Sequence, residues 1–263
     1  MNMADRDKIL RFYKGTEGEE TAIHLVDAAE AVNKSRKFRS SDFLDPYGQE
    51  IAETIAANYT GIRVEFFGGY NGAERQCAAL IHDDFMGTVN SDLQVITASW
   101  NERFYHLLHR DILGALMGLG IDRRNIGDLI ISAGNVKIIC TKKIADFIMN
   151  NLTTIGAAAV SCSYDELSSI PPREERCKEI SATVASLRID SVASSGYGTS
   201  RSKMTADIEA DKLKLNWQSV KNPSQLVKEG DIISMRGKGR LEVFQIKGQT
   251  KKGRTGILLK RYI

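Results

Sequence analysis

The sequence predicts an α+β protein in three parts. These are a helical N-terminal domain (residues 1–74), a middle domain of alternating strands and helices (75–165) and, past a linker (166–180), a small basic domain (181–263). Three observations predict this. Apolar residues recur at helix spacing early in the chain, short β-branched runs alternate with helical stretches in the middle, and positive charge gathers at the end. The formal net charge of +3 hides an asymmetry: residues 181–263 hold 16 Lys and Arg against seven Asp and Glu, and the remainder holds 20 against 26. Neutral folding needs no such split. A basic end on an acidic chain is the footprint of a polyanionic partner.

In the first part, Ala22, Ile23, Val26, Ala29 and Ala31 or Val32 predict a helix over about 18–37. Lys34-Ser35-Arg36-Lys37-Phe38-Arg39 ends it with positive charge, which suits a helix C-terminus. A solvated helix end is the plain reading of this run, and a secondary nucleic-acid contact is the alternative. Asp45-Pro46 then starts a helix through about Ala57.

In the middle part, Leu93–Ala98 reads as a strand and Phe104–Leu119 as a helix. Asp128–Ile131 and Val136–Cys140 read as strands joined by the turn Ser132-Ala133-Gly134-Asn135. Thr141 can cap a helix through about Asn151, and Ala157–Ser163 is a last strand. The order β-α-β-β-α-β is the ferredoxin-like, RRM-like arrangement. Val136-Lys137-Ile138-Ile139-Cys140 carries no ring, so base stacking on this sheet is not expected. Pro171-Pro172, within 168–175, marks the linker, and Glu179–Ala185 alternates like a strand.

Cys77, Cys140, Cys162 and Cys177 form no CxxC pair and have no histidine at zinc spacing, so buried reduced thiols are expected and no metal or cofactor is. No run of about 18 apolar residues suggests a membrane span, and the polar start Met1–Asp7 has no apolar signal region. A cytoplasmic protein is expected.

The basic end carries the most information. Arg188-Ile189-Asp190 begins a short helix with Val192 and Ala193, which Gly196-Tyr197-Gly198 breaks. Thr199 or Ser200 caps the next helix, Arg201 to about Ala210, with Met204 and Ile208 turned to a core and Arg201 and Lys203 outward. A helix N-terminus with a hydroxyl and two cations suits phosphate. Leu213 and Leu215 alternate with Lys212 and Lys214, and Asn216 ends that strand, placed to hold a turn or touch RNA. Gly230-Asp231 turns into the strand Ile232–Met235, and Arg236-Gly237-Lys238-Gly239-Arg240 sets three cations on a glycine-rich turn that phosphate can approach.

This pattern resembles the S4 RNA-binding domain. Arg188-Ile189-Asp190, Ser200-Arg201, Ile208, Leu213-Lys214-Leu215-Asn216, Pro223 and Gly230-Asp231-Ile232-Ile233 match it over about 60 residues. Asp211 stands at the usual glycine after the second helix, a position Asp tolerates, and Trp217 replaces the glycine that commonly follows the Asn. With the stretch His109–Ile121 and Ile126-Gly127-Asp128 ahead of it, the chain resembles the bacterial YlmH family over nearly its whole length. The resemblance implies a protein that binds rRNA and tRNA on the large ribosomal subunit, with peptidyl-tRNA, in ribosome-associated quality control. It also implies a link to cell division and division proteins. The expected RNA-binding residues are Arg188, Ser200, Arg201, Lys203, Lys212, Lys214, Asn216, Arg236, Lys238 and Arg240.

Enzyme readings are weaker. His109-Arg110-Asp111 is the tripeptide of a kinase catalytic loop, but the later Asn and a glycine-rich phosphate loop are missing. Arg188-Ile189-Asp190 is similar to the catalytic stretch of pseudouridine synthases, yet only about 20 residues follow Arg240, too few for their catalytic domain. Gly196-x-Gly198 lacks a third glycine. Glu65, Asp83, Asp84 and Asp92 read as solvated loop carboxylates. The expected protein is a non-enzymatic RNA-binding factor; the alternatives are an RNA-modifying enzyme guided by the S4 domain and a division scaffold.

Overall fold

The computed structural model describes residues 3–90, 92–171, 177–250 and 253–262. They fall into two compact units, residues 1–173 and 174–263. Pro172 and the rest of the expected linker up to residue 176 lie outside the described residues.

The first unit opens with α1 (Met3–Tyr13), α2 (Glu19–Ser35), β1 (Phe38–Leu44), α3 (Pro46–Ala57), β2 (Ile62–Phe67) and β3 (Gln76–His82). The buried stripe of α2 is Ala22, Leu25, Val26, Ala29 and Val32, whereas Ile23 is exposed. Counting i, i+3, i+4 and i+7 from Ala22 selects Leu25 and passes over Ile23. The basic run ends α2, with Arg36 in the left-handed conformation at φ 57°. Asp45 caps α3 by accepting the Gly48 N–H at 2.9 Å, and Pro46 takes the first helical position.

Three strands join the expected helices, as an antiparallel sheet in the order β1-β3-β2. The helices bury Val26, Ala29, Ile51 and Ile55 against Ala78 and Leu80 of the central strand. That strand begins at residue 76, yet both its partners precede residue 74.

The unit continues with β4 (Leu93–Ser99), α4 (His109–Gly118), β5 (Ile126–Ser132), β6 (Asn135–Thr141), α5 (Lys142–Asn151), β7 (Thr154–Ile155), β8 (Ala158–Ala159) and β9 (Ser161–Asp165). The four longer strands pair antiparallel in the order β5-β6-β4-β9, the ferredoxin-like sheet.

Local chemistry moves two boundaries and one cap. α4 starts at His109, not near Phe104, because the N–H groups of Phe104 and Tyr105 turn back to the Asn101 carbonyl, each at 3.2 Å. Asp111 then fixes the helix start by accepting the Leu108 N–H at 2.9 Å. Gly156, at φ 58°, turns β7 onto β8, so the expected last strand is broken before β9. Thr141 precedes α5 without capping it; its hydroxyl donates to the Asn125 side chain at 3.3 Å instead.

One face of the four-stranded sheet packs on α4 and α5, with Ile96, Ala98, Val136 and Ile138 against Ile112, Leu116, Ala145 and Ile148. The opposite face is covered too: Leu93, Val95 and Ile139 pack with Phe43, Cys77 and Ile170. At this seam the Asp128 carboxylate accepts the Tyr70 hydroxyl (2.8 Å) and the N–H groups of Glu74 (2.8 Å) and Arg75 (3.1 Å). The Arg75 guanidinium donates to the carbonyls of Phe43 (2.8 Å) and Ile126 (3.1 Å). The sheet face therefore lacks both the rings and the access that base stacking needs.

The second unit comprises β10 (Cys177–Val184), α6 (Ile189–Tyr197), α7 (Arg201–Glu209), β11 (Leu213–Leu215), β12 (Gln218–Ser219), β13 (Ile232–Met235), β14 (Gly239–Gln249) and β15 (Thr255–Tyr262). Its strands form one antiparallel sheet, β10-β15-β14-β13-β11-β12. Ile189, Val192, Met204 and Ile208 of the two helices pack with Leu213, Ile233, Leu241 and Leu259. Gly196 lies inside α6 rather than breaking it. A Cβ there would stand 2.2 Å from a Leu241 methyl, so the missing side chain lets the helix seat on the sheet. The break comes at Gly198, at φ 62°.

The four cysteines are free, but they are not all buried. Burial pushes the thiols of Cys77 and Cys140 up to about 12. Cys162 is half-buried, and Cys177 is exposed at the start of an edge strand.

Candidate nucleic-acid interface

Two groups of side chains organise the basic surface of the second unit. The first is centred on Asp190, whose side chain is 3% exposed in the first turn of α6. Arg188 donates to its two carboxylate oxygens from Nε and Nη2 at 3.2 and 2.9 Å, and Arg201 of α7 donates from Nε at 3.1 Å. Burial alone would raise the Asp190 pKa; the hydrogen bonds from Arg188 and Arg201 outweigh it and hold the carboxyl below its ordinary range. Both arginines keep a solvent-facing side, at 35% and 50% exposure.

The second group surrounds Asp207, on the same face of α7 as Lys203 four residues before it. Lys212 donates to its carboxylate at 2.7 Å. That bond, ahead of the opposing effect of burial and with the charges of Lys212, Lys203 and Lys238 added, lowers its pKa. Lys212 alone pairs with this carboxylate; Lys203 and Lys238, from α7 and the glycine-rich turn, act on it through their charge without a direct contact. The Arg236 N–H donates to the Lys212 carbonyl at 3.1 Å, which docks the glycine-rich turn against the start of β11. Gly237 and Gly239 take φ of 76° and 79° in that turn.

Arg201 and Lys203, two positions apart, project about 200° apart around the helix. They therefore belong to different groups. Ser200 caps α7, its hydroxyl accepting the Lys203 N–H at 3.2 Å. Arg240 lies opposite Ser234 and Tyr262 in the sheet. Lys214 and Asn216 stand apart from these clusters. Lys214 alternates with the buried Leu213 and Leu215, and its ammonium donates to the Trp217 carbonyl at 3.2 Å.

Asn216 is occupied in holding the fold. Its amide donates to Asp231 at 3.0 Å, and its oxygen accepts the Ile232 N–H at 2.9 Å. The second Asp231 oxygen accepts the Lys228 N–H at 2.8 Å. Asp211 takes the left-handed conformation at φ 54°, as its place at a usual glycine requires.

Sequence reading passed over Arg261. Its register opposite Leu241 brings the guanidinium 5.5 Å from the Tyr197 ring and 3.4 Å from the Lys238 carbonyl. The signal was the Lys260-Arg261 pair, about 20 residues after the glycine-rich turn, which only a hairpin could bring back.

His109-Arg110-Asp111 is the first turn of α4, with Arg110 82% exposed. Glu65 and Asp83 pair with Arg63, and Asp84 pairs with Arg36. Among the described residues no three His, Cys, Asp or Glu side chains gather closely enough to hold a metal ion, and no helix is long and apolar enough to cross a membrane.

Comparison with known proteins covers both units. Residues 17–85 match the family model "YlmH, N-terminal", residues 87–169 the model "Putative RNA-binding domain in YlmH", and residues 187–233 the S4 domain. A solved structure, the cell division protein ylmH from Streptococcus pneumoniae, superposes with a TM-score of 0.50 at 20% identity over 59% of this chain and 95% of that one. This likeness speaks to the fold. The ribosome-associated protein quality control protein P2 of Bacillus subtilis (strain 168) is 35% identical over 234 residues, 88% of this chain and 90% of that protein. With the three domain models in order along the chain and a relative aligned over nearly its full length, the protein belongs to the YlmH family.

Proposed function

We propose that the protein is a non-enzymatic RNA-binding factor that associates with the large ribosomal subunit and acts with peptidyl-tRNA in ribosome quality control. The observation that carries this reading is the basic second unit, in which residues 181–263 hold 16 Lys and Arg against seven Asp and Glu, with Lys212 paired to Asp207 beside the Arg236–Arg240 turn that docks on the start of β11. The acids of this segment are too few to neutralise its cations, and a phosphate backbone supplies the missing charge. The name of the Bacillus subtilis relative supports the ribosomal setting.

In this mechanism Lys203, Lys212, Lys238 and Arg236 meet phosphates. Arg188 and Arg201 present their outer edges, and Arg240 adds charge along the same hairpin. Ser200 and Asn216 contribute by holding α7 and the β11–β12 turn in place. The contacts set position and register on structured rRNA and tRNA rather than read bases. With about four phosphates engaged, the logarithm of affinity falls with that of salt at a slope near −3.

The test is co-sedimentation with purified large ribosomal subunits over a salt series, beside the double variant Lys203→Gln, Lys238→Gln. The expected outcome is salt-sensitive binding by the wild type. The variant should bind at least tenfold more weakly and lose about two units of salt slope. Wild-type binding by a folded variant would overturn this interface. The cell-division name of the Streptococcus pneumoniae structure motivates a second reading, a division scaffold. It predicts a protein complex that survives RNase and high salt.

A further inference from the structure

The six-stranded sheet of the second unit has two faces, and among the described residues α6 and α7 cover only one. Leu241 and Val243 of β14 and Ile257 and Leu259 of β15 belong to the core against those helices. Residues that alternate with them point the other way. Lys260, next to Leu259, therefore lies on the open face. Phe244 reaches that face by a different device. Val243 pairs with Leu259 and Gln245 with Leu258, so Phe244 is an extra residue that breaks the register. A bulge of this kind re-aims a side chain. The Phe244 side chain is 42% exposed, and the Lys260 ammonium stands 3.3 Å from its ring centroid. The negative face of the π-system holds that cation. One face of the ring is taken, and the exposed area is on the other face and the edge.

The charge beyond this ring has one sign. From residue 243 to residue 263 the sequence has six Lys and Arg and no acid. Lys247 is exposed on β14, and Arg254, exposed just before β15, is anchored by donating to the Thr183 carbonyl at 2.6 Å. The acids lie elsewhere. Glu179 and Glu242 stand opposite Lys260 in the neighbouring strands, where Glu242 accepts the Tyr262 hydroxyl, and Glu229 is bonded to the Ile246 N–H. A ring backed by an ammonium and followed by cations suits nucleic acid: a base stacks on the ring while the cations meet its phosphates. Bases inside an RNA helix are already stacked, so the fitting ligand is an unpaired nucleotide of a loop, bulge or end. A protein partner would gain most from a broad apolar patch, but Phe244 stands beside the polar Gln245 and Lys260.

We propose that the open sheet face of the second unit is a second RNA contact, in which Phe244 stacks an unpaired base and Lys247 and Arg254 meet the flanking phosphates. This rests on the RNA-binding reading above, but it uses the side of the sheet away from the helices that carry Arg201 and Lys203. The hairpin also lies past residue 233, where the S4 match ends. With contacts on both sides of one sheet, the unit can hold two RNA elements at once.

The test separates stacking from charge and from folding. Wild type, Phe244→Leu, Phe244→Tyr and Lys247→Gln are titrated with protein-free rRNA extracted from large ribosomal subunits, over a salt series, and each is melted alone. Phe244→Leu should bind about tenfold more weakly, because the ring is lost. Its salt slope should be unchanged, since no charge is removed, and its melting temperature should hold, since the ring lies outside the core. Phe244→Tyr should bind within about threefold of wild type, because a ring remains. Lys247→Gln should reduce the salt slope by about one unit. Ultraviolet crosslinking of the wild type, read by peptide mass spectrometry, should place a nucleotide within residues 244–247. Wild-type affinity in Phe244→Leu would overturn the second contact and leave the interface of α7 and the glycine-rich turn standing. Weaker binding matched by a clear drop in melting temperature would make Phe244 a structural residue and also overturn it. Absence of binding by the wild type would overturn the RNA-binding reading itself.

Discussion

The Asp190 carboxylate accepts the Arg201 Nε–H at 3.1 Å and thereby ties the first turn of α6 to the first turn of α7. Arg201 is therefore a strut of the fold as well as a candidate RNA contact. Asp190→Ala is expected to lower stability by about 1–3 kcal/mol, because charged hydrogen bonds are lost while the two arginines can still reach water. The loss should show as faster amide exchange across residues 189–210.

The same carboxylate sets an acid limit. Its folded pKa lies below the ordinary value, so its stabilisation is fully present above about pH 4 and is lost as pH falls through the depressed value. Amide exchange in α6 and α7 should therefore rise below about pH 4 in the wild type. Asp190→Asn should flatten that dependence; an unchanged profile would remove Asp190 as its source.

Asp128 plays the corresponding part in the first unit. Replacing it with alanine leaves the Tyr70 hydroxyl and the N–H groups of Glu74 and Arg75 without this acceptor. The expected destabilisation is about 2–4 kcal/mol, read by urea unfolding. Exchange should quicken at 70–76 and 126–130 together. Protection lost on one side alone would show that the seam does not open as one piece.

Thiol chemistry gives an independent check on burial. Cys77 and Cys140 are buried with thiols raised to about 12, while Cys177 is exposed. Iodoacetamide at pH 8 should label Cys177 first and spare Cys77 and Cys140 until the protein unfolds. Peptide mass spectrometry reads the order.

The S4 elements were legible because their signals are local. A serine before a helix, lysines alternating with leucines and a Gly-Asp turn each depend on neighbours a few residues away. The order β-α-β-β-α-β was legible for the same reason. What the sequence withheld is long-range pairing. β3 reads as an apolar run of either allegiance until its partners Phe38–Leu44 and Ile62–Phe67 are known.

The candidate interface divides along the same line. The cations were visible one by one. That Arg188 and Arg201 share one buried acid, or that Lys212 closes on Asp207, needs contacts that only the fold reveals. Trp217 could be named as a departure from glycine, but only the backbone angle turns that departure into a strained turn.

The sealed face of the ferredoxin-like sheet bears on how the chain matures during synthesis. Phe43 is 1% exposed, and its ring lies against Gly127, where a Cβ would come within 2.7 Å. A nascent chain that has emerged only to residue 85 has the helices and strands of its first sheet but not Leu93, Val95 or Ile139, which finish the layer around Phe43 and Cys77. Until about residue 139 leaves the exit tunnel, that apolar surface faces water. Maturation of the first 85 residues is thus coupled to translation of the next 55 or so, and a pause between them prolongs an aggregation-prone state.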